Sequence, residues 1–209
     1  MSVTLASWQR CWRELGATAP DTALFNTLIA RYSEKHRHYH TLQHLRECLE
    51  QFDAVRTMAQ RPAEIELALW FHDAVYEPQR HDNEALSAAW ARDAVLQAGL
   101  SAEVAQRIHA LIMDTLHLQA PAEPDARLLV DVDLSILGAD PARFDESDAQ
   151  IRAEFAHVPE AEFRQGRRRV LNGFLARPRL YNTERFYQAC ELQARANLQR
   201  SLARLAAPT

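Results

Sequence analysis

The chain has 209 residues, of which 47% are hydrophobic and 25% charged, and its formal net charge is −4. Such a composition suits one globular domain with a real core, and it gives no global pull toward nucleic acid or an anionic membrane. Cys11, Cys48 and Cys190 are widely spaced and odd in number, with no CxxC pair, so neither a disulfide framework nor a thiolate zinc site is indicated.

Only five glycines occur, and no stretch reads as alternating strands, so the expectation is an all-α, single-domain helical bundle over residues 1–209. Met1 to Trp12 has no apolar signal-peptide core and no run reaches the length of a membrane span, which predicts a cytoplasmic protein with reduced thiols. Thr4 to Leu15 reads as a first helix closed by Gly16, and Asp21 is placed to cap a second. Arg31 to His44 is rich in histidine and leads into a helix carrying Leu42, Leu45, Leu49 and Phe52. Within it, His40 and His44 are four apart and share a face if the helix starts early enough.

Pro62 suits the first turn of the next helix, which the pattern extends to about Tyr76. Ile65, Leu67, Ala68, Leu69, Trp70, Phe71 and Val75 cover every side of it, so it should be buried all round. The run ends in His72-Asp73, with Glu77 four residues beyond Asp73 and on the same face if the helix continues that far. A carboxylate in such a setting needs a partner, and a cation serves well because imidazole and carboxylate both ligate divalent metals.

Asp82 or Asn83 caps a helix stopped by Gly99, and Ser101 caps one with Val104, Ile108, Leu111 and Ile112 inward. His117 falls at its end, where a pocket could lie. After a short Pro121–Pro124 loop, Asp131 and Asp133 interrupt another apolar helix that ends at Gly138, and at least one of them needs a cation or a dense hydrogen-bond set. Asp140-Pro141, Pro159 and Thr183 open three further helices, the last running to about Ala206. The Arg164, Arg167, Arg168 and Arg169 cluster reads as a solvated face rather than a nucleic-acid site.

His44, then His72-Asp73, then Asp133, each on its own helix, resembles the H…HD…D order of the HD-domain superfamily of metal-dependent phosphohydrolases. Tyr39 to His44, Leu69 to Tyr76, Asn83 to Ala88 and Asp131 to Gly138 further resemble a subgroup described as predicted metal-dependent HD phosphohydrolases. The likeness covers about residues 31–181 and implies an HD-type helical core with His44, His72, Asp73 and Asp133 as metal ligands. The resemblance prefers Asp133 to Asp131, because the family's last aspartate is typically followed by an apolar residue in a helix, as Asp133 is by Leu134. Some nucleotide-cleaving relatives carry two acids at the third and fourth positions after the HD aspartate; here these are Tyr76 and Glu77.

In this reading one or two divalent ions (Mn, Fe, Co, Ni, Mg or Zn) activate water. Glu77 directs or takes its proton beside Asp73. Lys35, Arg37 and His38 hold phosphate, with His40 and His117 as further phosphate contacts or ligands of a second metal. The substrate is a small phosphorylated metabolite, with a nucleotide the favoured class, and no membrane or nucleic-acid partner is expected. Two alternatives compete: an HD-fold di-iron oxygenase using His40 or His117 as extra ligands, and a non-catalytic helical module.

Overall fold

The structure is a computed structural model that describes residues 3–17 and 22–207. The described residues are all-helical, with no strand among them. The predicted cap at Asp21 lies outside the described residues.

Ten α-helices follow one another: α1 Leu5–Glu14, α2 Thr22–Arg31, α3 Leu42–Val55, α4 Pro62–Phe71, α5 Asn83–Gln97, α6 Ala102–Met113, α7 Pro124–Asp133, α8 Pro141–Glu154, α9 Glu160–Leu175 and α10 Glu184–Ala206. Their starts follow the sequence closely. Thr4, Ser101, Asp140 and Thr183 each accept a backbone N–H from the first turn they cap, and Pro62 and Pro141 sit where a missing N–H costs nothing. Gly16 and Gly99 have φ of 92° and 79°, the left-handed backbone that ends a helix at little cost to glycine.

The described residues form two compact units, one reaching Val132 and the other starting at Asp133. In the first, α4 is the hub, packing against α1, α3, α5 and α6. Every residue from Ala63 to Phe71 is buried, as the all-round apolar pattern requires. Trp8 holds α1 on α4, its ring 5.3 Å from that of Trp70 and 5.4 Å from that of Trp12, both edge-on. The two charged residues inside α4 are paired: Glu66 with Arg10 and Arg56, and Glu64 with Arg107 at 2.6 and 2.8 Å.

The start of α7 is tied to the start of α4. Asp125 accepts the N–H groups of Gln60 at 2.8 Å and Arg61 at 2.9 Å. This carboxylate ties down the two residues that lead into α4, whose own Arg61 makes no side-chain cap bond.

In the second unit α10 packs on α8, α9 and a 3-10 stretch, Leu134–Gly138. The sequence pattern ran a helix through to Gly138, but the α-helix tightens at Leu134. Side chains of α10 and the loop before it take the released carbonyls: Tyr181 donates to Leu134 O, and Asn197 to Leu137 O and Ala139 O. Gly138 is needed for closeness, because a Cβ there would lie 2.6 Å from Cys190 Cβ and 2.9 Å from Tyr181 Oη. The arginine cluster of α9 is not simply a solvated face. Arg164 donates to the carbonyls of Arg204, Leu205 and Ala207 and so caps the C-terminus of α10, while Arg167 pairs with Asp148 at 2.7 Å.

Candidate metal centre

α4 ends at Phe71, earlier than its pattern suggests, and His72 is its C-cap. The early end puts His72 and Asp73 in a turn rather than on a helix face. His72 Nδ1 lies 2.8 Å from the Leu69 carbonyl, which can only accept, so Nδ1 carries a proton and, in the neutral ring, Nε2 presents its lone pair.

That lone pair meets two other donors. His72 Nε2 is 3.0 Å from His44 Nε2 and 3.0 Å from Asp73 Oδ2, and His44 Nε2 is 3.4 Å from the same oxygen. His44 projects from the first turn of α3, which Thr41 caps by accepting Gln43 N–H at 3.3 Å. His40 therefore precedes the helix and does not share a helical face with His44. His44 is 3% and His72 1% exposed.

The spacing fits one small cation. Two ligands about 2.1 Å from an ion are about 3.0 Å apart at a right angle and about 3.4 Å apart at a tetrahedral one. The three observed separations fall on those values, and two neutral imidazoles with a carboxylate form a donor set suited to a divalent ion. Burial alone would push the Asp73 carboxyl up, but when the imidazoles carry protons in place of an ion, the charges of His72 and His40 and bonds from His44 and His72 hold it well below the usual carboxylate range.

Asp133, the last residue of α7, opens the second unit and is a further candidate donor, in a set that does not include Asp73. Donor atoms of His44, Cys48, His72 and Asp133 lie within 4.8 Å of one another. Cys48 was not singled out by its sequence context, although it stands one helical turn beyond His44. Its sulfur is 3.7 Å from both Nδ1 and Nε2 of His44, hence along neither lone pair, and packs against the ring.

The residues expected around the ligands are distributed differently. Arg37 is withdrawn from any phosphate: its side chain is fully buried and bonds to the carbonyls of His40, Asp73 and Ala74 and to Glu34. Lys35 and His38 are exposed. His40 stacks on Tyr76, ring centroids 4.0 Å apart. His117 is a C-cap in left-handed backbone (φ 55°), a costly conformation for a side-chain-bearing residue.

Glu77 is not carried onto a helical face with Asp73. With α4 ended, its carboxylate is 55% exposed and lies 3.9 Å from His36. A different acid interacts electrostatically with Asp73. Glu84, in the first turn of α5, is half-buried; burial raises its pKa, Asp73 raises it further, and His117 and His40 oppose. Two clasps hold this turn of α5 to the His72–Glu77 segment. Asn83 accepts Glu77 N–H at 3.1 Å and donates to Glu77 O at 3.0 Å, and Ser87 bonds both the N–H and the carbonyl of Val75. Only the Asn83-to-Ala88 motif pointed here, and it assigned Glu84 no role.

No protein-family model, no curated protein and no solved structure matches the chain.

Proposed function

We propose that the protein is a metal-dependent phosphohydrolase of the HD type. Its substrate would be a phosphate ester or anhydride of a small metabolite, with a nucleotide the favoured class. The convergence of His44 Nε2, His72 Nε2 and Asp73 Oδ2 within 3.0–3.4 Å, in a buried setting, carries this reading. A divalent ion bound there supplies Lewis acidity, lowering the pKa of a water and offsetting phosphate charge.

The protein's own groups supply the rest. Leu69 O fixes the His72 tautomer, so no proton must leave Nε2 before it ligates. Asp73 stays ionised through the imidazoles around it. Glu84 takes the proton-handling role in place of Glu77, because a carboxyl pushed up by burial can hold a proton nearer neutrality and release it. His40 and His117 are the candidate phosphate contacts, and Lys35 and His38 lie exposed on the segment before α3.

The test is elemental analysis of the purified protein, together with a screen of phosphorylated metabolites with Mn, Fe, Co, Ni, Mg and Zn each added. Asp73→Ala is expected to lose metal and turnover together; stoichiometric metal in that variant would remove the assignment. Glu84→Gln is expected to keep its metal and lose turnover by about 10²–10⁴-fold, the usual span for a general acid or base. Glu77→Gln should stay near wild type. If the two glutamate variants behave the other way round, the proton role returns to Glu77.

A second reading, an HD-fold di-iron oxygenase, draws on the electrostatic interaction of Glu84 with Asp73, His117 and His40, which are candidate further donors. Two irons per chain and turnover that stops without oxygen would select it over hydrolysis.

A further inference from the structure

The end of α4 leaves carbonyls without helical partners, and neither glycine nor a left-handed turn follows to absorb them. His72 Nδ1 and Ala74 N–H take those of Leu69 and Phe71, and two side chains from before α3 hold Trp70 O and the turn beyond. Tyr32 Oη donates to Trp70 O at 3.3 Å and accepts Asp73 N–H at 3.3 Å. Arg37 donates through Nη1 to Asp73 O at 2.6 Å and His40 O at 3.2 Å, and through Nη2 to Ala74 O at 3.1 Å. Its Nε meets Glu34 at 3.1 Å.

The guanidinium lies between the rings of Tyr32 and Tyr76, 5.4 and 5.6 Å from their centroids. A cation in this place also faces the negative end of the α4 dipole. Burying a charge so completely is costly unless its geometry is fully used, and four of its five N–H groups are engaged.

We propose that Arg37 is a positioning residue for the metal centre. By binding the carbonyls of Asp73, Ala74 and His40 at once, it locks the His72-Asp73 turn to the segment leading into His44 and so sets metal affinity. The inference rests on the reading that these residues bind a divalent ion. A lysine could not replace it, because one ammonium cannot span three carbonyls on two segments with the same planar fork.

The experiment is Co(II) binding to the full chain, followed by titration calorimetry and by the visible Co(II) spectrum. Arg37→Ala is expected to bind about 10–100-fold more weakly, the usual cost of removing a group that orients a ligand, with an altered spectrum. Arg37→Lys should fall between it and wild type. Millimolar guanidinium, but not sodium, should move the alanine variant back toward the wild-type spectrum and affinity. Wild-type affinity and spectrum in Arg37→Ala overturn the proposal. If that variant does not fold, Glu34→Gln decides: a smaller loss in the same direction supports the proposal, and an unchanged dissociation constant overturns it. Failure of the wild type itself to bind Co(II) sinks the metal reading, an outcome distinct from failure of Arg37 alone.

Discussion

The convergence of His44, His72 and Asp73 was legible because their chemistry has few other uses in an apolar setting. Arg37 and Glu77 were not legible, because a charge in a sequence does not announce whether it faces water or three carbonyls. Tyr32 shows how much such a partner contributes. Burial raises its hydroxyl to about 12 from an ordinary 10.0, opposed by His72 and nearby cations. Between those values the unfolded chain has lost the proton that the folded chain keeps, so stability falls as pH rises. The fall amounts to about 2–3 kcal/mol across the window. Urea midpoints at pH 9 and pH 11.5 should show it in the wild type. Tyr32→Phe should start lower, having lost two hydrogen bonds, and should lack that part of the alkaline slope. An equal slope in both proteins would detach it from Tyr32.

Helix α4 is held from outside its own sequence neighbourhood at both ends: Asp125 binds the two N–H groups just before it, Tyr32 takes Trp70 O, and Arg37 takes carbonyls of the turn just after it. For this reason its C-terminal boundary escaped the sequence pattern, while helices with local caps at Thr4, Ser101 and Thr183 did not. The same holds for the tightening of α7 at Leu134, which depends on Tyr181 and Asn197 far along the chain. Asp125→Ala leaves two N–H groups without their acceptor and should cost about 1–3 kcal/mol in chemical denaturation. Loss of less than a few tenths would mean that water replaces the carboxylate fully. Gly138→Ala should destabilise by about 1–3 kcal/mol through overpacking against Cys190 and Tyr181. A neutral result in the same measurement would show that α10 can retreat.

Across the whole molecule, the all-helical class was readable from composition and periodicity, whereas the division at the end of α7 was not, since no linker composition marks it. Among the described residues, no helix is long and apolar enough to cross a membrane. If the centre binds an ion only in the folded state, saturation at a hundred times the dissociation constant adds about 2.7 kcal/mol of stability. For a chain of this size that is a rise of about 5–10 °C in melting temperature. Chelator should reverse it in the wild type and leave Asp73→Ala unmoved; an identical chelator response in both would place the ion elsewhere.

The near-complete enclosure of His44 and His72 also bears on how a cation arrives and departs. An ion held by two sealed imidazoles would leave toward the Asp73 side, where that side chain is 16% exposed, so exchange in the finished protein should be slow. The occupant recovered on purification would then record the ions present when the chain folded, more than those in the final buffer.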